Sequence, residues 1–239
     1  MDKIKYLSRI DLFKGLDPEY LESLGPVTPA HIMKRKTIVA SPQSPQKCLF
    51  LVKSGMVRLY RVTKGGKELT IDILGEGHIF GEAGSFTTGA ENVFAETLED
   101  SYICKINKHQ FESIITAHPE LGLKFIELVA FRLKEVEEML ELMAYGSVRK
   151  RLLYLLDRVC QKYGEPTSVH EKQEADQTWV RLGIQLTHQE LESMAGSIRE
   201  TVTEHLRNFV FEGMINKASF RNRLLVCPDR IKKALEDCD

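Results

Sequence analysis

Arg199, Glu200, Thr203, Glu204 and Arg207 fall at i, i+1, i+4, i+5 and i+8 of the segment 197–211. Val202, Leu206, Phe209 and Val210 recur in the same segment at i, i+4, i+7 and i+8. On one helix these sets lie back to back, an apolar stripe for a core and a wholly polar face opposite it. Such a polar face is ordinarily just solvated surface. Here its side chains match the groups displayed in the DNA major groove: an Arg fork suits guanine, a Glu accepts from the cytosine amino group, and a Thr meets a methyl group or a phosphate. They gather toward the N-terminal end, the end such helices insert into the groove.

The flanking residues supply the frame. Thr187 followed by Glu190, and Ser197 followed by Glu200, are two capping-box patterns, each predicting a helix start. Gly196 between them supplies a turn, so helices are predicted at 187–195 and 197–211, a helix-turn-helix. Leu191, Met194 and the small Ala195 face inward. Downstream, 214–217 and 224–227 alternate like a hairpin around Phe220-Arg221-Asn222-Arg223. This is a wing, with Arg221 and Arg223 at its tip to meet phosphates.

What precedes this module is of a different kind. Eight of the 16 glycines lie between Gly55 and Gly89, separating short alternating runs at 48–52, 56–62, 69–74, 78–80 and 102–106. Closely spaced strands with Gly-rich turns predict a β-barrel or sandwich, and Gly65-Gly66 marks a hairpin. Residues 18–24 read as a short helix. From Glu120 to Tyr145 the only glycine is Gly122, and apolar residues recur at Leu121, Phe125, Leu128, Val129, Val136, Met139, Leu140 and Met143, with Arg132 breaking the seam. That is a helix of about 25 residues and roughly 37 Å. It either packs along the barrel or pairs with its counterpart in a second subunit. Residues 148–163 form a further amphipathic helix, 164–176 a polar loop, and 179–182 with 184–186 a hairpin around Gly183.

Net charge is −1 over 239 residues, but it is unevenly placed: 1–145 carry 18 basic and 20 acidic side chains, 146–233 carry 15 and 11. The excess of cations lies on the half that would face a polyanion. No apolar run reaches the ~18 residues of a membrane span, and no h-region follows the N-terminal charges. Five scattered cysteines without a CxxC pair point to free thiols in a reducing cytoplasm.

The chain as a whole resembles the Crp/Fnr family of bacterial transcription regulators. The residues that carry the resemblance are Gly81-Glu82-x-Gly84 after His78-Ile-Phe80, the break at Tyr145-Gly146, and Gln189 with Ser197-x-Arg199-Glu200-Thr201-Val202. The fold implied is α+β: a β-roll, or double-stranded β-helix of jelly-roll type, as effector domain at 1–118, a dimerisation helix at 119–145, and a winged helix-turn-helix at 146–239. By the resemblance, Gln189, Ser197, Thr201 and Arg207 contact phosphates, joined by Thr187 and the wing arginines. Arg199 and Glu200 read bases, with Thr203 and Glu204 beside them. Glu204 stands where cyclic-AMP-responsive members carry a second base-reading arginine, which implies a different operator. The partners implied are a second copy of the chain, duplex DNA with an inverted repeat, RNA polymerase and a small effector.

The effector pocket expected from the resemblance involves Gly81, Glu82, Ala83, Asn92, Val93, Val136 and Glu137. Asn92 and Val93 replace the Arg-Ser pair that neutralises a cyclic phosphate, so that anion would lack its charge-assisted partner. No cofactor is predicted. A haem would need an axial ligand from His31, His78, His109 or His118, and an iron–sulfur cluster needs a Cys-rich set that is missing. A thiol sensor would use Cys104 or Cys160. A cupin-type metal enzyme is the alternative class, but its motif lacks the second His before Glu82. No nucleophile-elbow, zincin or P-loop pattern occurs, and the chain reads as a non-enzyme.

Overall fold

The computed structural model describes residues 10–14, 17, 19, 30–44, 46–88, 93–166, 178–217 and 223–238. Of the helix expected at 18–24 only Glu19 is among them, and the pocket residue Asn92 and the wing residue Arg221 lie outside them. The chain divides into two compact units, Met1–Val136 and Glu137–Asp239.

In the first unit, the described residues form a short 3-10 turn at Asp11–Phe13 followed by nine strands: β1 (Ala30–Met33), β2 (Ile38–Ala40), β3 (Cys48–Ser54), β4 (Val57–Val62), β5 (Glu68–Leu74), β6 (Ile79–Ala83), β7 (Phe86–Thr87), β8 (Phe94–Thr97) and β9 (Ser101–Asn107). Among the described residues they form two antiparallel sheets, ordered β1-β9-β3-β6-β7 and β2-β8-β4-β5. The predicted hairpin is β4–β5: Val62 faces Glu68, and Thr63 N–H donates to Lys67 O at 2.8 Å across the Gly65-Gly66 turn. The long-range pairing β3–β9, Cys48 opposite Asn107, joins distant segments.

β3 is buried almost throughout because both its faces are covered. Phe50 and Val52 point between the sheets, where they meet Val57, Leu59, Leu74, Phe80, Ala95 and Ile103. Leu49 and Leu51 point to the other side, against Phe111, Ile114, Leu121 and Phe125. These four residues come from α1 (Lys108–Ala117) and the start of α2 (Pro119–Tyr145). α1 begins with a full capping box between Asn107 and Gln110. Phe86, Phe111 and Phe125 meet edge to face, with centroids 4.9–6.0 Å apart.

The second unit takes the end of α2 and continues with α3 (Val148–Tyr163), β10 (Gly164–Pro166), β11 (Val180–Leu182), α4 (His188–Ala195), α5 (Arg199–Phe211), β12 (Ile215–Lys217), β13 (Leu224–Val226) and α6 (Pro228–Glu236). Ser147 caps α3 by accepting from Lys150 N–H. Leu152, Leu153, Leu155, Leu156 and Val159 form its buried stripe. The small sheet runs β10-β11-β13-β12, all antiparallel.

This sheet corrects one expectation. Residues 184–186 are not a strand, and the partner of β11 is β10, with Gly164 opposite Leu182. Gly183 instead bonds back to Tyr163 O at 2.6 Å. The polar segment expected as pure loop thus begins as an edge strand, the position where Pro166 is tolerated.

Candidate nucleic-acid interface

α4 and α5 form the expected helix pair. Thr187 is the N-cap of α4: its hydroxyl accepts from Glu190 N–H, while the Glu190 carboxylate accepts from the Thr187 N–H at 2.6 Å and from its hydroxyl at 2.9 Å. Glu190 is largely buried by this exchange. α4 ends at Gly196 in the left-handed conformation (φ 58°). A Cβ there would sit 3.2 Å from Met143 Sδ. Leu191, Met194 and Ala195 are buried as expected.

The second capping box does not form. The N-cap of α5 is Ile198, which has no side-chain cap bond, and α5 starts at Arg199. Ser197 stays in the turn, its N–H spent on Glu192 O at 3.2 Å. The left-handed cap lengthens the turn by one residue and moves Ser197 out of capping position. Val202, Leu206 and Phe209 are buried as read, but Val210 is 47% exposed. Three residues hold the helix, and the fourth falls off the stripe.

The outer face of α5 is open. Arg199, Glu200, Glu204 and Arg207 are exposed, and Thr201, Thr203 and Ser197 are half-buried. Thr187, His188 and Gln189 at the start of α4 are exposed too. His188 Nδ1 lies 3.1 Å from Thr203 Oγ1, bridging the two helices. Sequence reading missed His188, whose only signal was its place between Thr187 and Gln189. In the wing, β12 and β13 pair from Ile215–Val226 to Lys217–Leu224. Arg223 is not open at a tip: its guanidinium lies 3.5 Å from Glu165 Oε2, which Arg181 also holds at 2.9 Å.

Of the expected pocket residues, Gly81, Glu82 and Ala83 lie on β6 and Val136 and Glu137 on α2. Gly81 has φ 102°, and a Cβ there would meet Cys48 O at 2.5 Å, so only glycine fits. Ala83 is fully buried in the hydrophobic cluster with Phe111 and Ile114 of α1. Val93 is buried, Val136 is 46% exposed and Glu137 is exposed. His31 and His109 are exposed, His78 Nδ1 faces the carbonyls of Gly75 and Glu76 in its own turn, and His118 Nδ1 lies 3.0 Å from Glu120. Among the described residues no three His, Cys, Asp or Glu groups cluster as a metal site.

Residues 31–118 match the cyclic nucleotide-binding domain. Over 208 residues the chain is 28% identical to the cyclic AMP receptor protein of Thermus thermophilus, covering 85% of this chain and 87% of that one. The chain is similar to regulators of the Crp/Fnr type over most of its length. Solved Crp/Fnr-type structures share its fold. A CooA variant of Carboxydothermus hydrogenoformans superposes with a TM-score of 0.70 at 24% identity, covering 88% of each chain. The c-di-GMP-responsive global regulator CLP of Xanthomonas campestris does so with 0.66 at 18% identity, covering 88% of this chain and 99% of that one. What it shares with them is the CRP-like fold, with β-roll, long helix and helix-turn-helix in that order. Among its described residues no helix is long and apolar enough to cross a membrane.

Proposed function

We propose that this regulator acts as a dimer on an inverted-repeat DNA site, reading bases with Arg199, Glu200, Thr203 and Glu204. Phosphates are met by Thr187, Gln189, Ser197, Thr201 and Arg207, and by Arg221 in the wing. Arg223 joins them only by leaving Glu165. The observation that carries this reading is the open polar face of α5 on a helix whose back, Val202, Leu206 and Phe209, is locked in a core. Such a helix can present its side chains rigidly without rearranging.

The dimer rests on α2. Leu121 and Phe125 turn into the β-roll core, and Val129 packs against it. A different row stays exposed: Leu123, Ile126, Ala130, Leu133, Glu137, Leu140 and Ala144, spaced alternately by three and four. Leu123, Ile126, Leu133 and Leu140 are each 58–65% exposed. This is the a/d seam of a two-stranded coiled coil, with Glu137 as its polar break. A second copy related by a dyad covers it and sets two recognition helices for successive major grooves. RNA polymerase is the further partner of the assembled complex.

The β-roll takes a small effector other than cyclic AMP. The Thermus relative is named for cyclic AMP and the Xanthomonas one for c-di-GMP, so one fold serves different ligands. Here Asn92 and Val93 bring no cation to a cyclic phosphate. A hydrogen bond to a charged group is worth about 1.5–3 kcal/mol, so its loss weakens binding at least about tenfold.

The test is a gel shift of the intact protein on a randomised duplex pool with excess competitor DNA, with and without micromolar cyclic AMP. Retention of a resistant fraction, unchanged by the nucleotide, supports the reading. Retention only with cyclic AMP overturns the effector assignment, and no retained fraction under either condition overturns the DNA assignment.

A further inference from the structure

His188 opens α4, and its imidazole reaches across the turn to the hydroxyl of Thr203 in the second turn of α5. The two are fifteen residues apart and hydrogen-bond at 3.1 Å on the face that carries Arg199, Glu200, Glu204 and Arg207. A threonine inside a helix ordinarily turns its hydroxyl back to the carbonyl one turn earlier. Thr203 instead spends its hydroxyl on a neighbouring helix.

We propose that His188 is a specificity-determining positioning residue, which fixes what Thr203 offers to a base pair. The proposal rests on the DNA reading of α5. Threonine has few χ1 choices in a helix, so committing Oγ1 to His188 also settles where its γ-methyl goes. A hydroxyl has one proton and two lone pairs, and Nδ1 takes up either the proton or a lone pair. What remains on Oγ1, together with the methyl, is a defined pattern against an exocyclic amino group, a carbonyl or a thymine methyl. Without His188 the hydroxyl rotates and that pattern blurs. His188 thus acts on specificity without touching the base.

Selection of bound sequences is run for the wild type, His188→Ala, Thr203→Val, the double variant and His188→Asn, whose amide occupies the place of Nδ1. Thermal melts of each accompany the selection. The expected result is that His188→Ala and Thr203→Val each lower discrimination about five- to tenfold at the same base position of each half-site, within the range of a single lost base contact. The double variant loses no more than Thr203→Val alone, since coupled residues are not additive. His188→Asn restores most of the preference, and the His188 variants bind random DNA within about twofold of the wild type. If His188→Ala weakens binding to all sequences equally, or changes a different position from Thr203→Val, the proposal is wrong and the DNA reading survives. A wild type that selects no sequence removes both.

Discussion

Arg149, in the first turn of α3, grips Glu212, the residue just past the end of α5, through two parallel hydrogen bonds of 2.9 and 2.5 Å. The same guanidinium lies over the Phe209 ring, 5.1 Å from its centroid, and Arg230 donates to the Glu212 carbonyl at 2.9 Å. The C-terminal end of α5 is therefore tied to α3, the helix that follows the break at Gly146. A fork-to-carboxylate pair of this geometry fixes direction as well as distance.

The Arg149 hydrogen bonds hold the Glu212 carboxyl below its usual value near 4.5. A depressed folded-state value stabilises fully above the unfolded one and is lost as pH falls through the folded value. With both side chains about a third exposed, the pair contributes on the order of 1 kcal/mol after screening. Glu212→Gln should lower the melting temperature at pH 7 by a few degrees, with a deficit that shrinks as the pH falls below the usual carboxylate range. A deficit that does not shrink with falling pH would show that packing, not charge, is at work.

Thiol chemistry should divide the cysteines. Cys48, Cys104, Cys160 and Cys227 are buried, and Cys238 is partly open. Burial pushes the Cys160 thiol up to about 11 and raises those of Cys48 and Cys104, which keeps the reactive thiolate scarce. Alkylation at pH 8 followed by mass spectrometry should label Cys238 alone, with the others reacting only on unfolding. Rapid native labelling of Cys104 or Cys160 would restore a thiol-sensing role.

Reading and positioning contacts should differ in how their loss affects specific and random DNA. Arg199→Ala should cost roughly 1–3 kcal/mol on the specific site and relax one base position. Arg207→Ala should weaken specific and random DNA alike and make the salt dependence shallower. Binding isotherms at several salt concentrations check both. Equal losses on both DNAs from Arg199→Ala would make it a phosphate contact.

Leu140→Glu should split the dimer while leaving each chain folded. Leu140 is 64% exposed on α2, so a charge there harms nothing until a second copy buries it unpaired. Sedimentation should show a monomer with an unchanged melt of the β-roll. A dimer that persists places the interface elsewhere.

Sequence pattern foretold those elements whose signal is local. The alternation at 69–74 and the Gly65-Gly66 turn announce β4–β5, and Thr187 with Glu190 announces α4. β1, β2 and β8 are three or four residues long and draw their stability from distant partners, such as Ala30 opposite Cys104, so no local period reveals them. α2 carries two apolar rows at helical spacing, Leu121–Phe125–Val129 and Leu123–Ile126–Leu133–Leu140. Only the tertiary structure shows which one the β-roll covers. On α5, periodicity sorted buried from exposed except at Val210, but the link from His188 to Thr203 joins two helices, and no spacing rule connects them.

The most direct measurement is sequencing of the DNA that the intact protein retains from a randomised duplex pool. Two recognition helices related by a dyad require a short motif in two inverted copies, with centres about 34 Å or one helical turn apart, and that is the result expected. Enrichment of a motif without dyad symmetry would contradict the dimeric reading, and no enrichment would contradict sequence recognition by α5 itself.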